Sequence, residues 1–363
     1  MRVRGVHAGT VLESTSALGD GKRPRTMLEQ EITVGLSVSL SGRLARQGQQ
    51  ALDGIRLWAH PPVRLIYYDD QSRASIAQRN TVRLLEEDRV DVLFGPYGSH
   101  LTMAVAPVAE AYRKLLWNYG GTSDEIFSRG HRWLVSNASP ASDYLRRLPG
   151  RVAGTSSRPE RISIVYNTRG TFASQVARGV VEAAPAAGFP AVALVPKRDT
   201  GEVVHQLRLI APEVLVLAGN FEDEVEIMRA RHLWPGSVRV VAAVAAGVQA
   251  FYKEIGDAAE GVIGPSQWEP NADSNWFVRD FRERFGQVPE YTAAAAFAMG
   301  LIVSECIRRA GSVEDERLRA VAAGLDFNTF YGRFRIEPVT GRQIGHQILL
   351  IQWRDGRKIV VDD

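Results

Sequence analysis

Residues 90–112 read VDVLFGPYGSHLTMAVAPVAEAY. Val90 to Phe94 is a short apolar, β-branched run, Gly95 to Gly98 carries turn residues, and Ser99 to about Tyr112 reads as a helix. Strand, turn and helix therefore follow one another within twenty-three residues. The same theme surrounds this stretch. Ile32 to Val38 leads through Ser39, Ser41 and Gly42 to a helix around Gln49 to Trp58, and Val63 to Tyr68 leads through Asp69 and Asp70 to a helix from about Ser75 to Glu87. Leu115 to Trp117 supplies a fourth strand. Such alternation predicts an α/β fold with a parallel sheet built from βαβ units.

A second series begins near Arg161. Ile162 to Tyr166, Val192 to Val195, Val214 to Leu217 and Val238 to Val241 read as strands, separated by helices at Ser174 to Ala187, Val203 to Ile210 and Glu222 to His232. Gly150 to Pro159, rich in Gly, Ser, Arg and Pro, reads as an exposed joint between the two series. After Gly261 to Gly264 the pattern changes to helices at Asn275 to Phe285, Thr292 to Ala310 and Val313 to Ala323, then to strand-like runs at Tyr331 to Ile336 and Gln347 to Trp353. Helices that cannot cover their own apolar face must return to an earlier sheet, so the chain is expected to cross between two open sheets more than once.

Composition narrows the function classes. At 363 residues the chain exceeds what one core usually supports, which predicts two domains. The net charge of +3, from 44 basic and 41 acidic residues, is spread along the chain and points to neither nucleic acid nor an anionic membrane. The single cysteine, Cys306, excludes an internal disulfide and reads as a small core residue, and no metal or cofactor is expected. Met1 to Gln30 lacks periodicity and reads as disordered or loosely attached, without the apolar stretch of a signal peptide. Val240 to Tyr252, taken as the longest nearly uncharged apolar segment, is too short to span a bilayer. No GxSxG, HExxH, P-loop or GxGxxG motif occurs where an enzyme would need it. Ser99 and His100 are adjacent in sequence, but neighbours at a helix start do not face each other as nucleophile and base. Catalysis is therefore not expected.

Five segments taken together, ITVGLSVSLSG (32–42), YYDD (67–70), FGPYGSHLTMAVAP (94–107), GGTSDE (120–125) and AEG (259–261), give residues 31 to 355 a resemblance to the leucine/isoleucine/valine-binding family of type I periplasmic binding proteins. Tyr97, Ser99, His100 and Ala104 to Glu110 are also similar to cytoplasmic amide-sensing regulators that share the fold. The resemblance implies two Rossmann-like domains joined by three crossovers, near residues 140, 266 and 344. Residues 31–140 plus 267–343 would form one domain, and 141–266 plus 344–363 the other. It implies a solute-binding receptor that captures a small carboxylate between the domains and delivers it to the permease and ATPase subunits of an ABC transporter, outside the cytoplasm. The alternative is a cytoplasmic sensor signalling to a partner protein.

Family position also nominates the site. Gly98 and Ser99 open a helix directly after a strand, where free N–H groups and the helix dipole suit a carboxylate. Ser99 is either a helix cap worth about 1 kcal/mol or a ligand contact worth roughly 1.5 to 3 kcal/mol. Gly120, Gly121 and Thr122 match the second carboxylate-binding turn, the glycines allowing close approach to the backbone. Tyr97 is an expected wall beside Ser99, Phe172 an aromatic covering the ligand, Asn220 with Phe221 a further family contact, Trp268 a residue closing over the cleft, and Gln47 and Tyr291 further wall residues. One departure stands out. Where amino-acid binders of the family place an acid for the ligand ammonium, Val241 to Val248 reads VAAVAAGV. Either Asp223 or Glu222 substitutes, or the ligand has no ammonium. A hydrophobic or aromatic carboxylate is the expected ligand, with an amino acid as the other possibility.

Overall fold

The computed structural model describes residues 31–155 and 158–361. The expectation for Met1 to Gln30 lies outside the described residues, as do Ser156 and Ser157 of the expected joint and the last two residues of the second domain.

The first sheet is made by β1 (Ile32–Val38), β2 (Val63–Asp69), β3 (Val92–Phe94), β4 (Leu116–Asn118) and β5 (Leu134–Ser136), in the order β2-β1-β3-β4-β5. All of its pairings are parallel. Every residue of β1 is buried, because helices cover both faces of the sheet. The helices between the strands are α1 (Ala45–Trp58), α2 (Ala74–Glu86), α3 (Ser99–Ala111) and the short α4 (Glu125–Ser128).

The second series begins with α5 (Leu148–Ala153), which occupies part of the stretch read as a joint, its Leu148, Pro149 and Val152 buried against the second core. It continues through β6 (Ile162–Asn167), α6 (Phe172–Ala183), β7 (Val192–Lys197), α7 (Thr200–Ile210), β8 (Val214–Ala218), α8 (Phe221–Arg229), β9 (Val240–Ala243), α9 (Gln249–Ile255) and β10 (Ile263–Ser266). The chain then runs through α10 (Asn275–Phe285), α11 (Tyr291–Ala310) and α12 (Asp315–Gly324), whose Phe277, Phe281, Phe297 and Leu318 join the core beneath β1 and β3. It finishes with β11 (Phe327–Thr329), β12 (Gly332–Phe334), β13 (Leu349–Arg354) and β14 (Arg357–Val360).

Two expectations change at this end. The run Tyr331 to Ile336 joins neither large sheet: β12 pairs only with β11, as an antiparallel ribbon. The second sheet, ordered β14-β13-β10-β9-β8-β6-β7, is parallel from β7 to β10 but antiparallel at β13 and β14. The two-residue turn Asp355–Gly356 leaves no room for the crossover that a parallel pair requires.

Three segments connect the sheets, and they are tied side by side. Gln267 accepts the Ser139 N–H at 3.2 Å and donates to the Ser139 carbonyl at 3.1 Å, while the Ser139 hydroxyl lies 2.7 Å from Nδ1 of His346. Burial pushes the His346 imidazole down to about 4, so it is neutral in this bundle.

Among the described residues, helix α11, not Val240 to Tyr252, is the segment long and apolar enough to cross a membrane, and 72% of its apolar window is buried inside the fold. It packs on α1 at backbone distance. A side chain on Gly54 would approach the Ala293 carbonyl to 2.3 Å, and one on Gly300 would enter the Trp58 ring. Cys306 lies on this helix, fully buried, with its thiol pushed up to about 12 by burial.

Candidate ligand-binding cleft

The carboxyl ends of β1, β3 and β4 face those of β6, β8 and β9 across a cleft of about 720 Å³, where open α/β sheets generally place their ligands. The turns after the strands supply its walls. Gly98 precedes α3 with φ +103°, a conformation only glycine adopts without strain, and this turn aims the helix start into the cleft.

Ser99 is the first residue of α3, not its cap, and the helix has no side-chain cap. Its hydroxyl oxygen instead accepts the main-chain N–H groups of Thr122 at 3.1 Å and Ser123 at 3.0 Å. Both lone pairs are therefore used, and the O–H is left to donate. Thr122 lines the cleft beside it, and its carbonyl accepts the Ala141 N–H at 2.7 Å.

Gly120 and Gly121 are glycine for a different reason from the one expected. Their N–H groups are engaged by Oδ1 of Asn118, at 3.3 and 2.7 Å. A side chain on Gly120 would meet Tyr97 at 2.7 Å, and one on Gly121 would meet Thr102 at 2.3 Å. The pair makes room for protein side chains, and Gly121 does not line the cleft.

Tyr97 and Tyr291 line the cleft with their hydroxyls 2.5 Å apart. Burial raises both phenols well above their ordinary range, so the pair stays neutral. Gln47 on α1 also lines this side. From the second sheet, Phe172 packs edge-on against Tyr144 at 5.3 Å, and both reach the cleft. Asn220 caps α8 by accepting the Asp223 N–H at 2.8 Å, and with Phe221 forms the facing wall.

Trp268 corrects the expectation of a cover. It is buried in the core of the first sheet, edge-on to Phe277 at 5.8 Å and Phe330 at 6.1 Å, and does not line the cleft. A tight turn at Ser266, whose hydroxyl donates to the Trp268 carbonyl at 2.9 Å, sends the ring inward.

The acids divide as follows. Asp223 is turned away, bonded to the Asn167 amide and 3.9 Å from Nζ of Lys197, and it does not line the cleft. Glu222 does line it, exposed on the first turn of α8. Glu224, which sequence reasoning missed, is fully buried behind the wall. Its two oxygens accept the Gly219 N–H at 2.6 Å and the Ala245 N–H at 2.7 Å, joining the turn after β8 to the one after β9. Burial pushes this carboxyl up to about 8. Tyr144, Arg43 and Arg169 were also missed. The two arginines follow the first strand of each series, which was the available cue; Tyr144 follows a crossover and had none.

A family model described as periplasmic binding protein matches residues 31–358. Among solved structures, the chain is similar to a leucine binding protein from Thermotoga maritima, at 18% identity over 91% of this chain and 98% of that one, with a TM-score of 0.78. It is similar to a branched-chain amino acid transporter substrate binding protein from Streptococcus pneumoniae in complex with isoleucine, at 16% identity over 92% and 99% of the two chains, TM-score 0.75. It is also similar to a solute binding protein of an ABC transporter from Rhodopseudomonas palustris in complex with 3,4-dihydroxybenzoic acid, at 19% identity over 90% and 94%, TM-score 0.74.

Proposed function

The chain belongs to the periplasmic binding protein family, and on that premise we propose that it is a solute-binding receptor capturing a small hydrophobic or aromatic carboxylate for an ABC transporter. The two lobes are residues 31–140 with 267–343, and 141–266 with the C-terminal strands. Closure about the three tied connections buries the ligand. The protein binds and releases without turnover, outside the cytoplasm, and its partners are the permease and ATPase subunits.

The observation that carries this reading is the Ser99 hydroxyl. With its oxygen engaged by two N–H groups, its proton is free to donate to a ligand acceptor in the cleft, beside the unpaired N–H groups of the first turn of α3. Tyr97, Tyr291, Phe172 and Phe221 offer apolar faces around that point. Solved proteins of this fold hold both an amino acid and a hydroxylated benzoic acid. The second chemistry fits better here, because Val244, Ala245, Gly247 and Val248 line the cleft where the family places its ammonium partner, the carboxyl of Glu224 is spent on the backbone behind them, and Glu222, the acid that does line the cleft, is exposed on the first turn of α8, where the helix dipole already matches its charge.

Thermal denaturation with 3,4-dihydroxybenzoate, isoleucine and a short aliphatic amide tests the reading. Stabilisation by the benzoate is expected, about 2.7 kcal/mol at one hundred times its Kd. Stabilisation by isoleucine alone would refute the argument from the missing ammonium partner.

A further inference from the structure

We propose that the ligand is a dianion: one carboxylate held at Ser99 and Thr122, and a second received by Arg43 and Arg169 from opposite walls of the cleft. The proposal rests on the carboxylate reading above and extends it to a dicarboxylic acid.

The charged side chains lining the cleft are Arg43, Arg46, Arg169, Glu222 and Glu290, with His100 as the titratable neighbour. Arg46 and Glu290 form an ion pair and cancel. Arg43 has no carboxylate within salt-bridge distance among the described residues. Its Nη2 lies 3.3 Å from Nδ1 of His100, whose Nε2 is 3.4 Å from the Ser72 carbonyl. The same Nη2 lies 3.4 Å from Nε2, so the guanidinium rests against the imidazole of His100. Burial lowers the His100 pKa and keeps the ring neutral, so Arg43 is oriented while its charge is left uncompensated.

Arg169 faces the cleft from the turn after β6, and among the described residues its guanidinium makes neither an ion pair nor a hydrogen bond. Glu222 is paired with neither arginine. It sits on the first turn of α8, where the helix dipole already matches a negative charge. The cleft therefore keeps a net positive charge supplied from both sheets.

Arg43 and Arg169 stand on opposite walls of one cleft, so any approach of the two walls would bring two like charges together and be opposed by them. An anionic group between them removes that opposition. Arginine also suits the task chemically, since its planar fork binds a carboxylate with two parallel hydrogen bonds. A ligand with one carboxylate would leave these two cations facing each other.

Titration calorimetry of the full chain with benzoate and isophthalate, at fixed ionic strength, reads the preference directly. Isophthalate is expected to bind at least about tenfold more tightly, the yield of one further charge-assisted contact. In Arg43→Ala and Arg169→Ala that preference should fall towards one, with thermal denaturation confirming that each variant is folded. Equal binding of the two acids, or variants that weaken both in the same proportion, would overturn the dianion proposal and leave the carboxylate reading standing. If neither acid binds and Ser99→Ala changes nothing, both fall together.

Discussion

The hydroxyl oxygen of Ser99 accepts the main-chain N–H of Thr122 at 3.1 Å, linking the start of α3 to the turn after β4. Two family positions thus form one unit, with the Ser123 N–H as a third member at 3.0 Å. The Ser123 hydroxyl lies 3.0 Å from that of Thr171 on the other lobe, and the Asp124 N–H donates to Gln175 there at 2.8 Å. The start of α3 is therefore mechanically continuous with the contact between the lobes.

Ser99→Ala removes an acceptor from two N–H groups as well as a donor from the ligand. Binding of the carboxylate should weaken about tenfold or more, and the fold should lose about 1 to 3 kcal/mol because Thr122 and Ser123 are left unsatisfied in a buried turn. Calorimetry together with urea denaturation checks both. Unchanged stability would show that the turn finds other acceptors.

Glu224 gives the stability curve a definite sign. Its folded value, about 8, lies above the ordinary 4.5, so the native state holds the proton through a window in which the unfolded chain has lost it. The contribution is full below about pH 4.5 and is lost as the pH rises to about 8, at up to about 1.4 kcal/mol per unit. The neighbouring Asp223 charge pushes in the same direction. Urea melts across this range should show Glu224→Gln with a shallower decline than the parent; parallel declines would place the dependence on other groups.

Trp268→Ala should cost about 3 to 5 kcal/mol, the usual penalty for emptying an aromatic core position. Ligand affinity of the folded variant should stay close to that of the parent, since the ring packs on Phe277 and Phe330 and not on the cleft. A large loss of affinity at unchanged stability would restore the cover that sequence position alone suggested.

The alternation of apolar runs and amphipathic segments was enough to determine that this chain makes two α/β sheets, because strands buried on both faces are written as short continuous β-branched runs and the helices between them carry a 3.6-residue period. The same is true of the glycine at 98, where a local backbone demand chooses the residue. What tertiary structure alone decided is which side chains share a space. Trp268 and Phe172 are both aromatic residues in connecting segments, yet a turn at Ser266 buries the first and the start of α6 presents the second. Glu224 reads as one of several acids on a surface helix until β9 arrives and covers it. Gly120 and Gly121 look like space left for a ligand until Tyr97 and Thr102 fill it. Direction, burial and partnership depend on contacts between residues far apart in the chain, and no local pattern encodes them.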